Sequence, residues 1–241
     1  MANEADSAVR FIEAVLQQCE RFSRVTFFAV VDTVSADATL DELRRLAKRE
    51  PRLRPLWAPE NRCVVDAYVA GYRAALGAGC DWILEIDAGF SHQPEEMPRF
   101  FEAMSQGYDC VFGSRFCDGG GMSGESRIRY IVSKGGTILT RVLLGSRLSD
   151  MTSGYEMFTR PVLEYVLERG IRSRAHFFQT EIKMYCHIFN IAEVPIHYTL
   201  PSPRLRRGAI LEAFYQLGRL IVLRLKGDLP NLRREGRRVS A

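Results

Sequence analysis

Short runs of β-branched and aromatic residues alternate along the chain with longer stretches whose apolar positions recur every three or four residues. The first kind of pattern predicts strands buried on both faces, the second the helices that cross between them. Residues 25–32 (VTFFAVVD) read as a buried strand and 40–47 as a helix. A second strand at 53–57 is followed by a helix over 64–77, a third strand at 81–87 (DWILEID) by a helix over 94–106, and a fourth strand lies at 109–113. Glycines 119–121 and Gly124 mark a loop. Beyond it come a helix over 129–144, a short strand at 154–159, a helix at 178–189 and a strand at 192–198. This alternation predicts an α/β domain, a parallel sheet with helices on both faces. Ligands of such sheets bind beyond the carboxyl ends of the strands. Two of the runs finish on acids, Asp32 and Asp87, which places both carboxylates at that edge.

The chain opens almost directly into a helix over 8–19, where an α/β domain of this kind normally opens with a central strand. Either the architecture has lost that strand or Met1 is an internal methionine of a longer product. Of the 241 residues, 46% are hydrophobic and 26% charged, which suits a chain with a large core and excludes a disordered or fibrous one. Six cysteines at 19, 63, 80, 110, 117 and 186 show no paired spacing, so they read as reduced thiols of a cytoplasmic protein. The net charge of +4 is uneven: residues 201–241 carry +7 and residues 1–200 carry −3. A basic end favours an anionic partner such as a membrane surface. It lacks the interleaved aromatics of a nucleic-acid binder.

Six segments occur in a fixed order: VVDTVSADAT (30–39), EIDAGFSHQPEEMP (85–98), FGSRF (112–116), RYIVSKGG (129–136), DMTSGYEMF (150–158) and EVPIHY (193–198). Together they resemble the family-2 glycosyltransferases of GT-A fold, most closely the dolichol-phosphate mannose synthase-like branch. The resemblance covers roughly residues 2–200. It implies a mixed, mostly parallel, nucleotide-sugar-binding sheet that here lacks its first strand. It also implies transfer of a hexose, with inversion, from a GDP- or UDP-sugar to a polyprenyl phosphate.

The resemblance carries roles over to individual residues. Asn3-Glu4 matches the end of the family's first-strand motif, which makes Glu4 a nucleotide contact; an acid placed at a helix N-terminus is the other reading. Asp32 matches the acid that faces the nucleotide base, and Ser35 and Asp37 read as caps of the loop after it. Asp87-Ala88-Gly89 stands where the family has Asp-x-Asp, so Asp87 is the expected ligand of a Mg2+ or Mn2+ ion that neutralises the departing diphosphate. Glycine replaces the second carboxylate. Arg115, Arg129, Ser133 and Lys134 match the set that holds donor and acceptor phosphates, with Arg129 and Ser133 one helical turn apart. Asp150 and Glu181 match positions near the site, where each could serve as a base; hydrogen bonding to the loop is the alternative for Asp150. Arg206, Arg207 and Gly208 retain part of an R-x-x-G-x-S-K closing segment but not its Ser-Lys. His92 reads as part of a helix-entry turn.

A sugar hydroxyl needs a positioned base, whereas a phosphate monoester is already largely dianionic at neutral pH. The Arg-rich, acid-poor acceptor side therefore fits a lipid phosphate. The segment 209–241 predicts an amphipathic helix and a basic tail. These would lie on the cytoplasmic face of a membrane, or pack on the domain or on a second copy in a homo-oligomer. Two other functions remain open on the sequence. One is transfer to a hydroxyl acceptor, the other a non-catalytic, nucleotide-sugar-binding scaffold suggested by Gly89 and Thr33.

Overall fold

The computed structural model describes residues 1–124, 127–199 and 207–229, with the side chains of residues 127–129, 132 and 207 left aside. α1 (Ala8–Gln18) comes first and buries Ala8, Phe11, Ile12, Val15 and Leu16, an apolar stripe at helical spacing. β1 (Phe27–Val31), α2 (Thr39–Ala47), β2 (Leu53–Trp57) and α3 (Val64–Gly77) then follow in the expected alternation. Asp66 holds the start of α3 by accepting from the backbone N–H groups of Arg62 and Cys63 (2.8 and 3.1 Å). β3 (Trp82–Glu85), α4 (Met97–Ser105) and β4 (Cys110–Ser114) follow, and then a two-residue β5 (Gly121–Met122). The rest comprises α5 (Arg127–Leu144), β6 (Glu156–Thr159), α6 (Arg160–Arg169), α7 (Phe178–Tyr185), β7 (Ile191–Pro195), β8 (His197–Tyr198) and α8 (Arg207–Leu225).

The strands fall into three sheets: β1 with β2, the order β3-β6-β4-β7, and β5 with β8. β1–β2, β4–β7 and β5–β8 are parallel. β6 makes the sheet mixed, as the resemblance implies, and runs antiparallel to both β3 and β4. The reason lies in its approach. After α5 the chain is still at the carboxyl edge, where residues 146–153 form the site floor, so β6 starts there (Phe112 opposite Glu156) and runs back through the sheet. β1 and β3 share no hydrogen-bonded ladder, and no strand precedes α1 among the described residues. α6, an element beyond those the sequence pattern predicts, starts with Pro161 in its first turn and stops at Gly170, whose φ of 75° suits glycine.

Three apolar clusters hold these layers. Phe112, Phe158, Phe178, Ile182, Leu217 and Leu220 belong to the one that packs α3, α6, α7 and α8 on one face of the central sheet. Phe11, Phe100, Val111, Tyr155 and Ile196 fill the opposite face under α1 and α4, and Ile12, Leu16, Val31, Leu43 and Leu53 tie α1 and α2 to the β1–β2 pair. Each fully buried Phe or Leu contributes about 1.5–3 kcal/mol by leaving water.

Candidate active site

Asp32 leaves β1 and at once turns the chain, its Oδ1 accepting from the Val34 N–H (3.0 Å). The loop that follows is zipped to the segment before α1. Asn3, at φ 59°, donates its backbone N–H to Ser35 Oγ (3.0 Å) and its side-chain amide to the Val34 carbonyl (3.3 Å), and accepts from the Ala36 N–H (2.9 Å). The Glu4 N–H donates to Thr39 Oγ1 (2.8 Å) and the Ala5 N–H to Asp37 Oδ2 (2.9 Å). Hydrogen bonds from the Thr39 hydroxyl, the Ala5 N–H, the Thr39 N–H and the Ser35 hydroxyl hold the Asp37 carboxyl down at about 2. Asp37 and Ser35 thus shape the loop, as their positions in the sequence suggest.

Asp87 lies just beyond β3 with its side chain 41% exposed. The Tyr68 hydroxyl, on α3, donates to Oδ1. Burial, and then the Asp87 charge, push the Tyr68 pKa well up, so it remains a donor. Oδ2 stands 3.8 Å from Nδ1 of His92. The His92 side chain is 2% exposed, lies between the rings of Tyr155 and Tyr198 (5.1 and 5.4 Å between centroids), and has no hydrogen-bond partner at Nδ1. Burial drops its pKa to about 4, which leaves the imidazole neutral at pH 7. His92 is therefore a neighbour of Asp87 and not merely a turn residue. One oxygen of Asp87 is fixed from below and the other faces a buried nitrogen.

The chain then passes through two left-handed residues, Gly89 (φ 82°) and Phe90 (φ 60°), and Phe90 packs edge-on against Phe11 at 5.3 Å. A Cβ on Gly89 would meet the Glu4 carboxylate, at 2.8 Å from Oε1 and 3.1 Å from Oε2. The Ser7 hydroxyl donates to that carboxylate at the entrance to α1. Half-exposed carboxylate oxygens are the hard donors that Mg2+ and Mn2+ prefer. Among the described residues no three His, Cys, Asp or Glu side chains close on one point. Mg2+ asks less, because one or two carboxylates suffice when substrate phosphates and water complete its shell. The residues around Asp87 fit such an ion.

Arg115 follows β4 and differs from expectation. Its Nε and Nη2 donate to the two oxygens of Asp150 (2.7 and 2.9 Å), its backbone N–H to the same carboxylate (3.1 Å), and Nη2 also to Thr152 Oγ1 (2.6 Å). Those nitrogens are committed to the floor loop and not to a diphosphate. Burial pushes Asp150 up, but the Arg115 charge and hydrogen bonds outweigh it and hold the carboxyl at about 2, so Asp150 is a poor base. Glu193 on β7 fixes the same loop, accepting from the N–H groups of Ser149 (2.8 Å) and Asp150 (3.2 Å). A carboxyl depressed in the folded state stabilises above its unfolded pKa near 4 and loses that contribution as pH falls toward 2. Asp150→Asn is expected to remove roughly 2 kcal/mol of the wild-type's acid sensitivity between pH 5 and pH 2. Urea unfolding of both proteins at each pH measures it.

Glu181 is also corrected. Its side chain is fully buried and accepts from the Arg172 and Ser173 N–H groups, the Tyr185 hydroxyl (2.6 Å) and Arg219 of α8. It ties α8 to α7 inside the protein, and no oxygen is left for acid–base work. Ser133 and Lys134 lie on α5, Lys134 donating to the Tyr130 hydroxyl (3.3 Å). Arg129 and Arg207 belong to α5 and α8 with their side chains outside the description, and Arg206 lies outside the described residues.

Sequence reasoning missed what underlies the floor. Glu85, buried at the end of β3, accepts from Tyr72 and Gln179, while buried Lys183 pairs with Glu156 and donates to the Ser153 carbonyl (2.6 Å). Burial first, and the neighbouring Glu156 charge next, push the Glu85 pKa well up. Acids at alternate strand positions (85 and 87) were the available signal.

The family model described as glycosyl transferase family 2 matches residues 1–167. An undecaprenyl-phosphate mannosyltransferase of Micrococcus luteus is 33% identical over 195 residues, 79% of this chain and 80% of that protein. A polyprenol monophosphomannose synthase of Mycolicibacterium smegmatis is 33% identical over 194 residues, 78% of this chain and 73% of that protein. Among solved structures, glucosyl-3-phosphoglycerate synthase of Mycobacterium tuberculosis with Mn2+, UDP-glucose and phosphoglyceric acid superposes with a TM-score of 0.62 at 15% identity, over 90% of this chain and 77% of that one. The same enzyme with Mg2+ and UDP gives 0.58 at 16% identity, over 96% and 78%. These structures share the GT-A fold with this chain. On sequence and fold together, the chain belongs to glycosyl transferase family 2 and is a glycosyltransferase.

Proposed function

We propose that the protein transfers a hexose from a GDP- or UDP-sugar to a polyprenyl phosphate at a membrane surface, with inversion. The observation that carries this reading is the absence of an available base among the carboxylates the sequence offered. Asp150 is locked as an anion by Arg115, and Glu181 is buried and saturated. A phosphate acceptor needs neither. The names of the two relatives at 33% identity support the same acceptor class.

In this reading a phosphate oxygen of the acceptor attacks the anomeric carbon from the face opposite the diphosphate. The bond from that carbon to the donor's phosphate oxygen breaks, its electron pair leaves on the nucleoside diphosphate, and no proton has to be removed. Asp32 faces the base, and Asp87 would hold a Mg2+ or Mn2+ ion, which would supply charge neutralisation to the leaving group. The cations of α5 (Arg129 and Lys134) and Ser133 draw the two phosphorylated substrates together. Arg115 acts through the loop it clamps. Arg206 and Arg207, which match part of the family's closing segment, are proposed as further phosphate contacts.

The membrane part of the reading rests on α5 and α8. These packed helices expose Ile131, Ile138, Leu139, Val142, Leu211, Phe214, Tyr215, Val222 and Leu225, and Arg141, Arg147 and Arg224 line a cavity of about 560 Å³ beside them. No helix among the described residues is long and apolar enough to cross a membrane. Apolar side chains bordered by guanidinium groups fit the surface of an anionic bilayer. Leu139→Asp with Phe214→Asp is expected to abolish co-sedimentation with phosphatidylglycerol vesicles while leaving thermal unfolding unchanged. For the reaction, labelled donor is offered with undecaprenyl phosphate and, separately, with simple sugars. Label in the lipid phase alone supports the proposal, and label on a sugar hydroxyl alone refutes it.

A further inference from the structure

Position 89 is glycine, and the space its side chain would take is already filled. The Glu4 carboxylate lies there, with Oε1 at 2.8 Å and Oε2 at 3.1 Å from where the Cβ would be. This is no chance approach of a loose side chain. Glu4 is fixed through its backbone by Thr39 and its carbonyl accepts the N–H groups of Ser7 and Ala8 at the start of α1, while the Ser7 hydroxyl holds its carboxylate. Asn3, the residue before it, makes three hydrogen bonds to the loop after β1. The chain thus brings an acid from a distant segment to the turn after β3, two residues past Asp87. An independent observation points to a ligand beside Asp87. His92 has a buried Nδ1 with no hydrogen-bond partner, aimed at Asp87 Oδ2 from 3.8 Å. Buried polar nitrogens are rarely left without a partner, and an unused one beside a carboxylate marks a place that a cation or its water would complete.

We propose that Glu4 supplies the carboxylate that position 89 lacks, so that Glu4 and Asp87 together hold the divalent cation against the donor diphosphate. The proposal rests on the transferase reading above and changes the role that the resemblance gives Glu4, which serves the cation and not the nucleotide. It also explains how the chain tolerates glycine in its Asp-Ala-Gly turn. With Glu4 in place, a side chain at position 89 would start 2.8 Å from Glu4 Oε1, and an acid there would crowd a second negative charge against it, which like charges resist. The φ of 82° at Gly89 further favours glycine over a side chain.

The test is calorimetric titration of MnCl2 into the full chain, alone and with saturating GDP or UDP, on wild type, Glu4→Gln, Asp87→Asn, Glu4→Ala and Glu4→Ala with Gly89→Asp. Asp6→Asn serves as a neighbouring-acid control. The proposal expects Glu4→Gln and Asp87→Asn each to weaken Mn2+ at least tenfold in the nucleotide complex. Metal-free nucleotide binding and the unfolding temperature should stay at wild-type values. It expects the double variant, which moves the carboxylate back onto the turn, to bind Mn2+ more tightly than Glu4→Ala. Wild-type Mn2+ affinity in Glu4→Gln overturns the proposal. Loss of metal-free nucleotide binding in that variant also overturns it, assigning Glu4 to the nucleotide. A double variant no better than Glu4→Ala overturns the idea that the two acids share one place. If the wild type binds neither GDP nor UDP, the transferase reading itself fails, and that result is distinct from the others.

Discussion

Asp87→Asn is expected to lower turnover about a thousandfold, with the protein still folded and its unfolding temperature within a few degrees of wild type. The argument is electrostatic. Charge develops on the leaving diphosphate as the glycosidic bond breaks, and groups aimed at developing charge are commonly worth 10²–10³ in rate. Asp87 is the acid of the strand-edge turn that reaches solvent, and Tyr68 fixes only one of its oxygens. An amide keeps the shape and can still accept from Tyr68, but loses the charge that recruits a cation. Because the side chain is 41% exposed, removing its charge leaves no buried ion unpaired, so stability should hardly change. Steady-state transfer assays across Mn2+ concentrations measure the effect. A variant that keeps more than a tenth of wild-type turnover at every Mn2+ concentration would show that Asp87 is not where the diphosphate is neutralised.

Arg115→Met is expected to behave in the opposite way, losing fold stability first. It leaves Asp150, whose side chain is wholly buried, without its counter-ion and without the two side-chain hydrogen bonds from Arg115, and it removes the Arg115 bond to Thr152 in the same loop. Breaking a buried pair on one side typically costs 3–5 kcal/mol, because the remaining charge stays out of water. The double variant Arg115→Met with Asp150→Leu should recover most of that loss, since apolar groups can replace a buried pair with little change. Urea unfolding of the two single variants and the double variant gives the coupling directly. If Arg115→Met unfolds within 1 kcal/mol of wild type, the pair is not what holds the floor, and Arg115 returns to the list of phosphate contacts.

Much of this arrangement was legible in the residues. VTFFAVVD and DWILEID are apolar runs that end on acids, so strand ends and edge carboxylates came from one pattern. The apolar stripe of 8–18 identified α1 for the same reason. What escaped was whatever depends on distant partners. The run EMFT of β6 is too short to carry a direction, and only its start from the floor loop makes it antiparallel. RPVLEYVLER buries just Val162, Leu163 and Val166, a stripe too thin to separate α6 from a loop. Asp150 and Glu181 looked alike as acids in polar surroundings, yet one meets Arg115, 35 residues away, and the other meets Arg219, 38 residues away. His92 carried no local sign of the carboxylate it faces, because the left-handed turn at Gly89 and Phe90 brings the two together.

The missing ladder between β1 and β3 has a mechanical meaning. The half bearing Asp32 is joined to the half bearing Asp87 through apolar packing of α1 and α3 and not through shared backbone bonds. Such a seam can breathe, and a nucleotide spanning both acids would act as a rivet across it. Amide exchange should then slow at Phe27–Val31 when GDP or UDP binds, with little change in Cys110–Ser114, which is already stitched on both sides.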